Sequence, residues 1–243
     1  MLFLPIVSAA RAITVAKALM IEKLGHKVPS ELTFHDEKGN TVTLGQLLDR
    51  PTIVSLVYFT CGHTCPLLLG GLAEVIGKMD LDPKKDYQIM TISFDESDTP
   101  AIALEKKNNY TTAAGILFPE HSWKFLTGDP RNIRKFTEAV GFQFRREMNG
   151  FDHPNGLIFL SPNGTVMRYL YGTSFSPFDI TMAVTEAGQG TGGWSIGKVL
   201  LYSFKYDETK NIYHFNIAKV LGTVFLFSSV LFGIFSLIVR KKV

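Results

Sequence analysis

Cys61 and Cys65 are the only cysteines in the chain, and they follow a nearly unbroken apolar run at residues 52–59. The run is rich in β-branched and aromatic residues, which indicates a strand buried on both faces. A helix is predicted to begin at about Thr64, so both sulfurs lie where a strand ends and a helix begins. Unpaired N–H groups and the helix dipole at such a place favour a thiolate over a thiol.

The spacing of the two cysteines allows three kinds of chemistry. If Cys65 lies in the first helical turn, the two Cβ atoms are about 5–6 Å apart on one face. Such a pair can close a disulfide, exchange electrons with another dithiol, or hold a soft metal ion with two thiolates. A purely structural disulfide is disfavoured because so small a loop restricts the unfolded chain little. The spacing by itself leaves the alternatives open.

The surrounding segments have the pattern of an α/β protein. A hairpin is predicted at 32–44, a helix at 67–79 and a second buried strand at 86–94. A strand, a helix and a strand of this length form a βαβ unit, whose strands pair in parallel. The rest of the pattern predicts helices at 101–110, 132–140 and 176–188, a strand at 123–128, a loop or extended segment at 142–151 and a hairpin at 156–170.

A cysteine pair inside a βαβ unit with a later hairpin predicts a thioredoxin-like fold, with a central mixed sheet flanked by helices and an N-terminal hairpin. Four segments add to this pattern, in order: FTCGHTCP at 59–66, TISFD at 91–95 with TP at 99–100, WKFLTG at 123–128, and DH at 152–153 followed by SPNG at 161–164. Over roughly residues 25–188 this combination resembles the SCO1/SenC family of copper-binding thioredoxin-like proteins.

The resemblance implies that Cys61, Cys65 and the distant His153 bind copper, as Cu(I) or Cu(II). It also implies a role in assembling the dinuclear copper centre of cytochrome c oxidase, either by delivering the metal or by reducing the receiving cysteines. Two thiolates and one imidazole are a soft, low-coordinate donor set that accepts Cu(I), whereas zinc usually recruits a fourth ligand. The protein is therefore expected to be a metallochaperone rather than an enzyme.

A second function from another class stays open. Cys61 and Cys65 would be the catalytic pair of a thiol–disulfide oxidoreductase that acts on exported or oxidase-subunit cysteines. Dithiol exchange does not require His153, and redox pairs usually have the shorter CxxC spacing. These two features favour the copper-binding interpretation.

Other residues near the motifs are assigned mainly structural roles. His63, inside the CxxxC segment, is interpreted as a solvent-facing loop residue, with a fourth metal ligand as the alternative. Asp98 is interpreted as a helix cap, and Tyr58 is assigned to the core or the rim of the site. Met79, Met90 and Met148 are soft donors by residue type, but Met79 and Met90 lie on predicted core faces, where packing is the favoured role.

The C-terminal part of the sequence predicts a membrane anchor at 217–239. Val220–Val239 contains no charged residue, and twenty helical residues span roughly 30 Å. The basic tail at 240–243 is expected to lie in the cytoplasm, which puts the cysteine-bearing domain on the periplasmic or extracytoplasmic side of the inner membrane. Residues 189–216 are predicted as a linker and juxtamembrane segment, and 1–12 as a signal peptide remnant.

Charge and composition limit the range of partners. The formal net charge is +3, and no block of basic residues with interleaved aromatics occurs, so nucleic acid is not expected as a partner. The expected partners are the copper-bearing subunit of cytochrome c oxidase, other copper carriers, and the membrane through the C-terminal span.

Overall fold

The computed structural model divides the chain into two compact units, residues 1–190 and 191–243. The structure describes residues 18–115 and 118–190 of the first unit, and 204–207, 212–215 and the single helical positions 222, 225 and 228 of the second.

The first unit contains five α-helices, nine strands and one 3-10 turn among its described residues. The helices are α1 (Leu44–Leu47), α2 (Thr64–Ile76), α3 (Pro100–Ala113), α4 (Pro130–Ala139) and α5 (Pro177–Gln189), and the 3-10 turn is Glu120–Ser122. The strands are β1 (Thr33–His35), β2 (Thr41–Thr43), β3 (Thr52–Val57), β4 (Gln88–Ser93), β5 (Trp123–Leu126), β6 (Arg145–Glu147), β7 (Gly150–Asp152), β8 (Gly156–Leu160) and β9 (Val166–Tyr171).

Five of these strands form the central sheet, in the order β5-β4-β3-β8-β9. Strand β3 pairs in parallel with β4, and β4 with β5, whereas β8 is antiparallel to both β3 and β9. Every residue of β3 and of β4 is buried, which explains why both strands have a nearly continuous apolar sequence. The prediction of an α/β fold with a central mixed sheet flanked by helices is confirmed.

Helix α2 forms because its apolar residues recur three and four positions apart. Leu68, Leu72, Val75 and Ile76 are buried on the face that packs against the core, and this spacing places them on one side of a helix. The helix begins at Thr64 directly after β3 and its loop. The predicted junction of a strand and a helix at the cysteines is therefore present.

A short antiparallel hairpin of β6 and β7 occupies most of the region 142–151, for which a loop or extended segment is predicted. Arg145 pairs with Asp152, and Glu147 with Gly150. The residues of β6 are exposed and those of β7 half-buried, so the sequence lacks the apolar alternation that marks a strand with one buried face. The hairpin was missed for this reason.

A buried ion pair joins the turn after β1 to helix α3. The Lys107 ammonium contacts the Glu37 carboxylate, with side-chain exposures of 2% and 1%. The other oxygen of Glu37 accepts the backbone N–H of Phe125 at 3.3 Å. The pair thus connects the N-terminal hairpin, α3 and β5, and the sequence patterns did not predict it.

The second unit contains an antiparallel hairpin of β10 (Phe204–Asp207) and β11 (Ile212–Phe215). This hairpin lies within the segment 189–216 that is predicted as a linker and juxtamembrane region. Apart from helical positions 222, 225 and 228, the predicted span 217–239 lies outside the described residues, as do the tail 240–243 and the segment 1–12. Among the residues that are described, no helix is long and apolar enough to cross a membrane.

Candidate metal centre

Cys61 and Cys65 lie between the end of β3 and the first turn of α2. Both are buried, with exposures of 8% and 2%, and both are free cysteines. The structure brings His153 to them across 88 residues, and the two Sγ atoms and a ring nitrogen all lie within 4.8 Å of one another. The three residues predicted from the sequence as metal ligands therefore converge at one place.

His153 stands in the loop between β7 and β8, and β8 runs beside β3 in the sheet. Its Nε2 lies 3.6 Å from the Sγ of Cys65, and its Nδ1 lies 3.1 Å from the backbone carbonyl oxygen of Pro154. Because a carbonyl oxygen only accepts, Nδ1 carries the ring proton and Nε2 presents a lone pair towards the sulfurs. Burial lowers the pKa of His153 and favours this neutral ring.

The two thiols differ in acidity. Burial opposes ionisation of Cys61, but hydrogen bonds from the N–H groups of His63 and Cys65 and from the Tyr58 hydroxyl lower its pKa below the ordinary value. Burial raises the pKa of Cys65, and the neighbouring Cys61 raises it further. The shift at Cys61 has the predicted direction, whereas the prediction is wrong for Cys65, because desolvation of this buried thiol outweighs the hydrogen bonds that favour its thiolate.

An aromatic wall supports His153. The ring of Tyr58 lies edge-on to the imidazole at 5.8 Å between centroids, and the ring of Phe94 lies at 5.3 Å. Phe151 packs against Tyr58 at 5.1 Å. Burial and the hydrogen bond to Cys61 raise the pKa of Tyr58 to about 12, so its hydroxyl stays a hydrogen-bond donor at neutral pH.

The β6–β7 hairpin precedes His153 in the chain and contacts the loop after β4 through ion pairs. The Arg146 guanidinium contacts Asp95 at 3.2 Å and Glu96 at 3.1 Å, and it lies 4.5 Å above the Phe151 ring. Gly150 allows the hairpin to approach Tyr58 closely, since an added Cβ would come within 2.7 Å of the Tyr58 hydroxyl oxygen. Arg146 is therefore a positioning residue for the His153 loop.

Asp98 holds the loop that bears Cys61 rather than capping helix α3. The N-cap of α3 is Thr99, so the predicted capping role of Asp98 is wrong. One carboxylate oxygen of Asp98 accepts the backbone N–H of Phe59 and the hydroxyl of Ser93, both at 2.6 Å. Burial raises the pKa of Asp98 although these hydrogen bonds lower it.

A cleft of about 420 Å³ opens the centre to solvent. It is lined by Tyr58, Cys61 and His153, and also by the exposed residues His63 and Met148. His63 is not part of the three-residue cluster of potential ligands, which agrees with its interpretation as a solvent-facing residue.

A larger groove of about 680 Å³ lies between helix α4 and the β6–β7 hairpin. It is lined in part by Phe94, Phe144 and Phe151 but by neither cysteine nor by His153. Its walls include no cluster of soft donors, so we assign the chemistry to the smaller cleft.

The donor set fits a soft metal ion. Metal–sulfur and metal–nitrogen bonds are about 2.0–2.3 Å long, so two of them bridge at most roughly 4.6 Å. The observed separations of up to 4.8 Å require only a small inward movement of the side chains. The fold and the site together define an α/β protein with a candidate soft-metal centre at the junction of a buried strand and a helix.

The chain belongs to the SCO1/SenC family, whose model matches residues 22–187. A candidate electron transfer protein of Aquifex aeolicus is similar, with 30% identity, a TM-score of 0.63, and coverage of 68% of this chain and 95% of that one. A comparison with curated proteins gave no match.

Two further solved structures share the fold at lower identity. Arabidopsis thaliana ScoI, solved with copper bound, is 21% identical with a TM-score of 0.55, over 69% of this chain and 99% of that one. BsSco, a member of the Sco family of cytochrome c oxidase assembly proteins studied for a disulfide switch, is also 21% identical with a TM-score of 0.55, over 70% and 98%. The α/β fold found here is consistent with these thioredoxin-like structures.

The supporting residues were harder to predict than the candidate ligands. The assignment of Tyr58 to the core or the rim of the site is confirmed, but its hydrogen bond to Cys61 was not foreseen. Arg146 was missed, because nothing in its local sequence distinguishes it from the adjacent Arg145. Asp95 and Glu96, which follow β4, could indicate an ion pair. The sequence does not identify their partner, Arg146, because it lies 50 positions beyond Glu96.

Proposed function

We propose that this protein binds one copper ion through the Sγ atoms of Cys61 and Cys65 and the Nε2 atom of His153. In this proposal it is a membrane-anchored copper chaperone that helps to metallate or to reduce the dinuclear copper site of cytochrome c oxidase. The observation that carries the proposal is the convergence of two sulfurs and one imidazole nitrogen within 4.8 Å. Membership of the SCO1/SenC family supports it.

Copper is the cargo in this proposal, and the residues of the chain prepare the site for it. Hydrogen bonds from the Tyr58 hydroxyl and from backbone N–H groups lower the pKa of Cys61, so this thiol loses its proton more readily than Cys65 when it binds the metal. Cys65 must lose its proton when it binds. His153 needs no deprotonation, because its neutral ring already directs Nε2 inward.

The donor set accounts for a preference for copper over harder cations. Thiolates and imidazole favour Cu(I) and zinc over magnesium or calcium. With only three protein donors in the described cluster, a structural zinc ion would lack its usual fourth ligand. Three soft donors are sufficient for Cu(I), and the open cleft leaves room for a donor from a partner.

The proposed location is the inner membrane, with the copper site on the periplasmic or extracytoplasmic side. The support is the uncharged run at 220–239 followed by basic residues at 240–242. The proposed partners are the copper-bearing oxidase subunit and other copper carriers. Retention in carbonate-washed membranes and protease accessibility of tags at the two ends test the topology, and release of the full chain into the soluble fraction would contradict it.

Substitution of His153 by Ala tests the ligand set. Wild type is expected to bind one Cu(I) per chain, and H153A is expected to bind it at least about tenfold more weakly, because one of three donors is lost. Competition with a chromophoric Cu(I) chelator measures the affinity. The control is H121A, since His121 is exposed on the 3-10 turn; equal affinity of H153A and H121A would overturn the three-ligand site.

A second candidate function is thiol–disulfide exchange, and the unequal acidity of the cysteines favours it. Cys61 has a lowered pKa and Cys65 is buried with a raised one, as in a pair of one attacking and one resolving thiol. Turnover of a disulfide substrate that persists in H153A would support this function. If H153A lost both this turnover and copper binding, the result would support the copper-chaperone function.

A further inference from the structure

Met148 occupies the tip of the β6–β7 hairpin, beside the cleft that Cys61 and His153 line. The pairing of Glu147 with Gly150 leaves a two-residue loop of Met148 and Asn149. The Met148 side chain is fully exposed, at 100%. It lines the same cleft as Cys61.

Neither packing nor turn chemistry accounts for a methionine at this place. Two-residue hairpin loops favour Asn, Asp and Gly, and a fully exposed thioether contributes nothing to the core. The hairpin is nevertheless held in position, because Arg146 fastens it to Asp95 and Glu96. The thioether is therefore presented at a defined point beside the cleft.

His63 lies in the loop between the two cysteines and lines the same cleft as Met148. It is the N-cap residue of α2, where Ser, Thr, Asp and Asn are usually found, and its side chain makes no capping hydrogen bond. Its backbone N–H donates to the Sγ of Cys61 at 3.5 Å, which leaves the exposed imidazole facing the cleft. A second nitrogen donor is thus available in this cleft.

We propose that Met148 and His63 form an outer, weaker site for Cu(I), through which the cargo passes between the inner centre and a partner. A thioether and a neutral imidazole are soft donors without charge, so they hold Cu(I) less tightly than two thiolates do. Cys61 and His153 of the inner centre line the same cleft as Met148 and His63, so soft donors extend from the inner centre towards solvent.

Transfer between the two sites is ligand exchange without electron transfer. As each bond from copper to a cysteine sulfur breaks, a bond to the Met148 sulfur or to a His63 ring nitrogen forms, and the copper stays Cu(I). The released thiolates take up protons from water. The inference rests on the proposed copper-chaperone function but adds two residues that the three-ligand centre does not include.

The outer site is tested first without the inner one. The full chain in detergent, carrying C61S and C65S and labelled with ¹³C at its methionine methyl groups, is titrated with Ag(I), a redox-inert soft cation. The Met148 methyl resonance is expected to shift, and H63Q is expected to weaken the binding at least about tenfold. The control is the methyl group of Met79, which lies beyond the C-terminal end of α2, roughly 18 Å along the helix from the cysteines.

The transfer role is tested with the inner centre intact. Cu(I)-loaded M148L is expected to release its metal to a small Cu(I) chelator about tenfold more slowly than wild type, as expected when one interaction in the transfer step is lost. Its equilibrium Cu(I) affinity is expected to match wild type, because Met148 is not a ligand in the inner centre. The matched control is M79L, which is expected to release copper at the wild-type rate.

The outcomes separate this inference from the proposed function. An unshifted Met148 methyl group, or release from M148L at the wild-type rate while wild type binds one Cu(I), overturns the outer site alone. Failure of wild type to bind Cu(I) overturns the copper-chaperone function. A specific Met148 shift in the serine variant, weakened by H63Q, supports the outer site in either case.

Discussion

The pKa values of Cys61 and Cys65 are shifted in opposite directions although only three residues separate the two cysteines. Cys61 accepts hydrogen bonds from two backbone N–H groups and from the Tyr58 hydroxyl, whereas Cys65 lies deeper in the core. The lowered pKa of Cys61 makes it the better nucleophile of the two, whereas the raised pKa of Cys65 keeps that thiol protonated at neutral pH. Both proposed functions use this asymmetry.

Replacing Tyr58 by Phe is expected to raise the pKa of Cys61, because the thiolate loses one hydrogen-bond donor while the aromatic ring remains. A higher pKa leaves less thiolate at neutral pH, so alkylation of Cys61 by iodoacetamide should slow by about threefold to tenfold. The pH profile of alkylation, followed by mass spectrometry, measures the change.

Y87F serves as the matched control for Y58F. Tyr87 is fully buried, and its hydroxyl has no hydrogen-bond partner among the described residues. Its loss should leave the reactivity of Cys61 unchanged. An unaltered profile in Y58F, or the same displacement in both variants, would contradict the assigned hydrogen bond.

At the scale of elements, the β6–β7 hairpin determines where His153 stands. Its position depends on the ion pairs of Arg146 with Asp95 and Glu96 and on the contact between Arg146 and Phe151. The Arg146 side chain is 56% exposed, so these pairs add little to global stability. Their effect is expected to be local.

R146Q is expected to loosen the hairpin without unfolding the protein. Amide hydrogen exchange in residues 145–152 should become faster, and Cu(I) affinity should fall by roughly threefold to tenfold because His153 is held less firmly. Exchange mass spectrometry and chelator competition measure the two effects. R131Q, at an exposed position of α4, should change neither; an unchanged hairpin in R146Q would exclude the positioning role.

The Glu37–Lys107 pair connects three elements from inside the protein. K107M is expected to lower the free energy of unfolding by about 3–5 kcal/mol, because the Glu37 carboxylate stays buried without its cation. The double variant E37Q/K107M should recover much of the loss, since the amide is neutral and can still accept the Phe125 N–H. Urea denaturation measures both variants.

Lys78 provides the control for the buried pair. Its ion pair with Glu74 is exposed, with side-chain exposures of 60% and 71%, and K78M should cost no more than about 0.5 kcal/mol. If K107M were as stable as K78M, the buried pair would not hold the elements together.

At the scale of the whole molecule, copper binding is linked to proton release. Cys65 has a raised pKa and is protonated at neutral pH, whereas His153 has a lowered pKa and is already neutral. Binding therefore displaces the Cys65 proton, and the apparent affinity must rise with pH until the pKa of Cys65 is passed.

The affinity for Cu(I) is expected to increase about tenfold per pH unit for each proton released across the neutral range. Chelator competition at a series of pH values measures the slope, after correction for the titration of the chelator. C65S should bind Cu(I) more weakly, and the part of the pH slope that comes from the Cys65 proton should be absent. A pH-independent affinity in wild type would show that Cys65 is not a thiolate ligand.

Much of the central architecture could be predicted from the sequence because local patterns encode it. Continuous apolar runs indicate buried parallel strands, as in β3 and β4, and apolar residues three and four apart indicate α2. The β6–β7 hairpin was missed because its strands are not strongly amphipathic. The prediction that Asp98 caps α3 was wrong, because a carboxylate just before a helix can also accept a hydrogen bond from a loop that is distant in the sequence, here from the Phe59 N–H.

Local sequence patterns were enough to identify the α/β fold class and the thiol pair at the junction of a strand and a helix, and the SCO1/SenC motifs named His153 as the third ligand. The distances within the site, the unequal acidity of the two thiols and the placement of the hairpin by Arg146 depend on contacts between distant residues, and only the tertiary structure shows them. Acidity and metal geometry depend on desolvation and on hydrogen bonds from other elements, and no local sequence pattern specifies these.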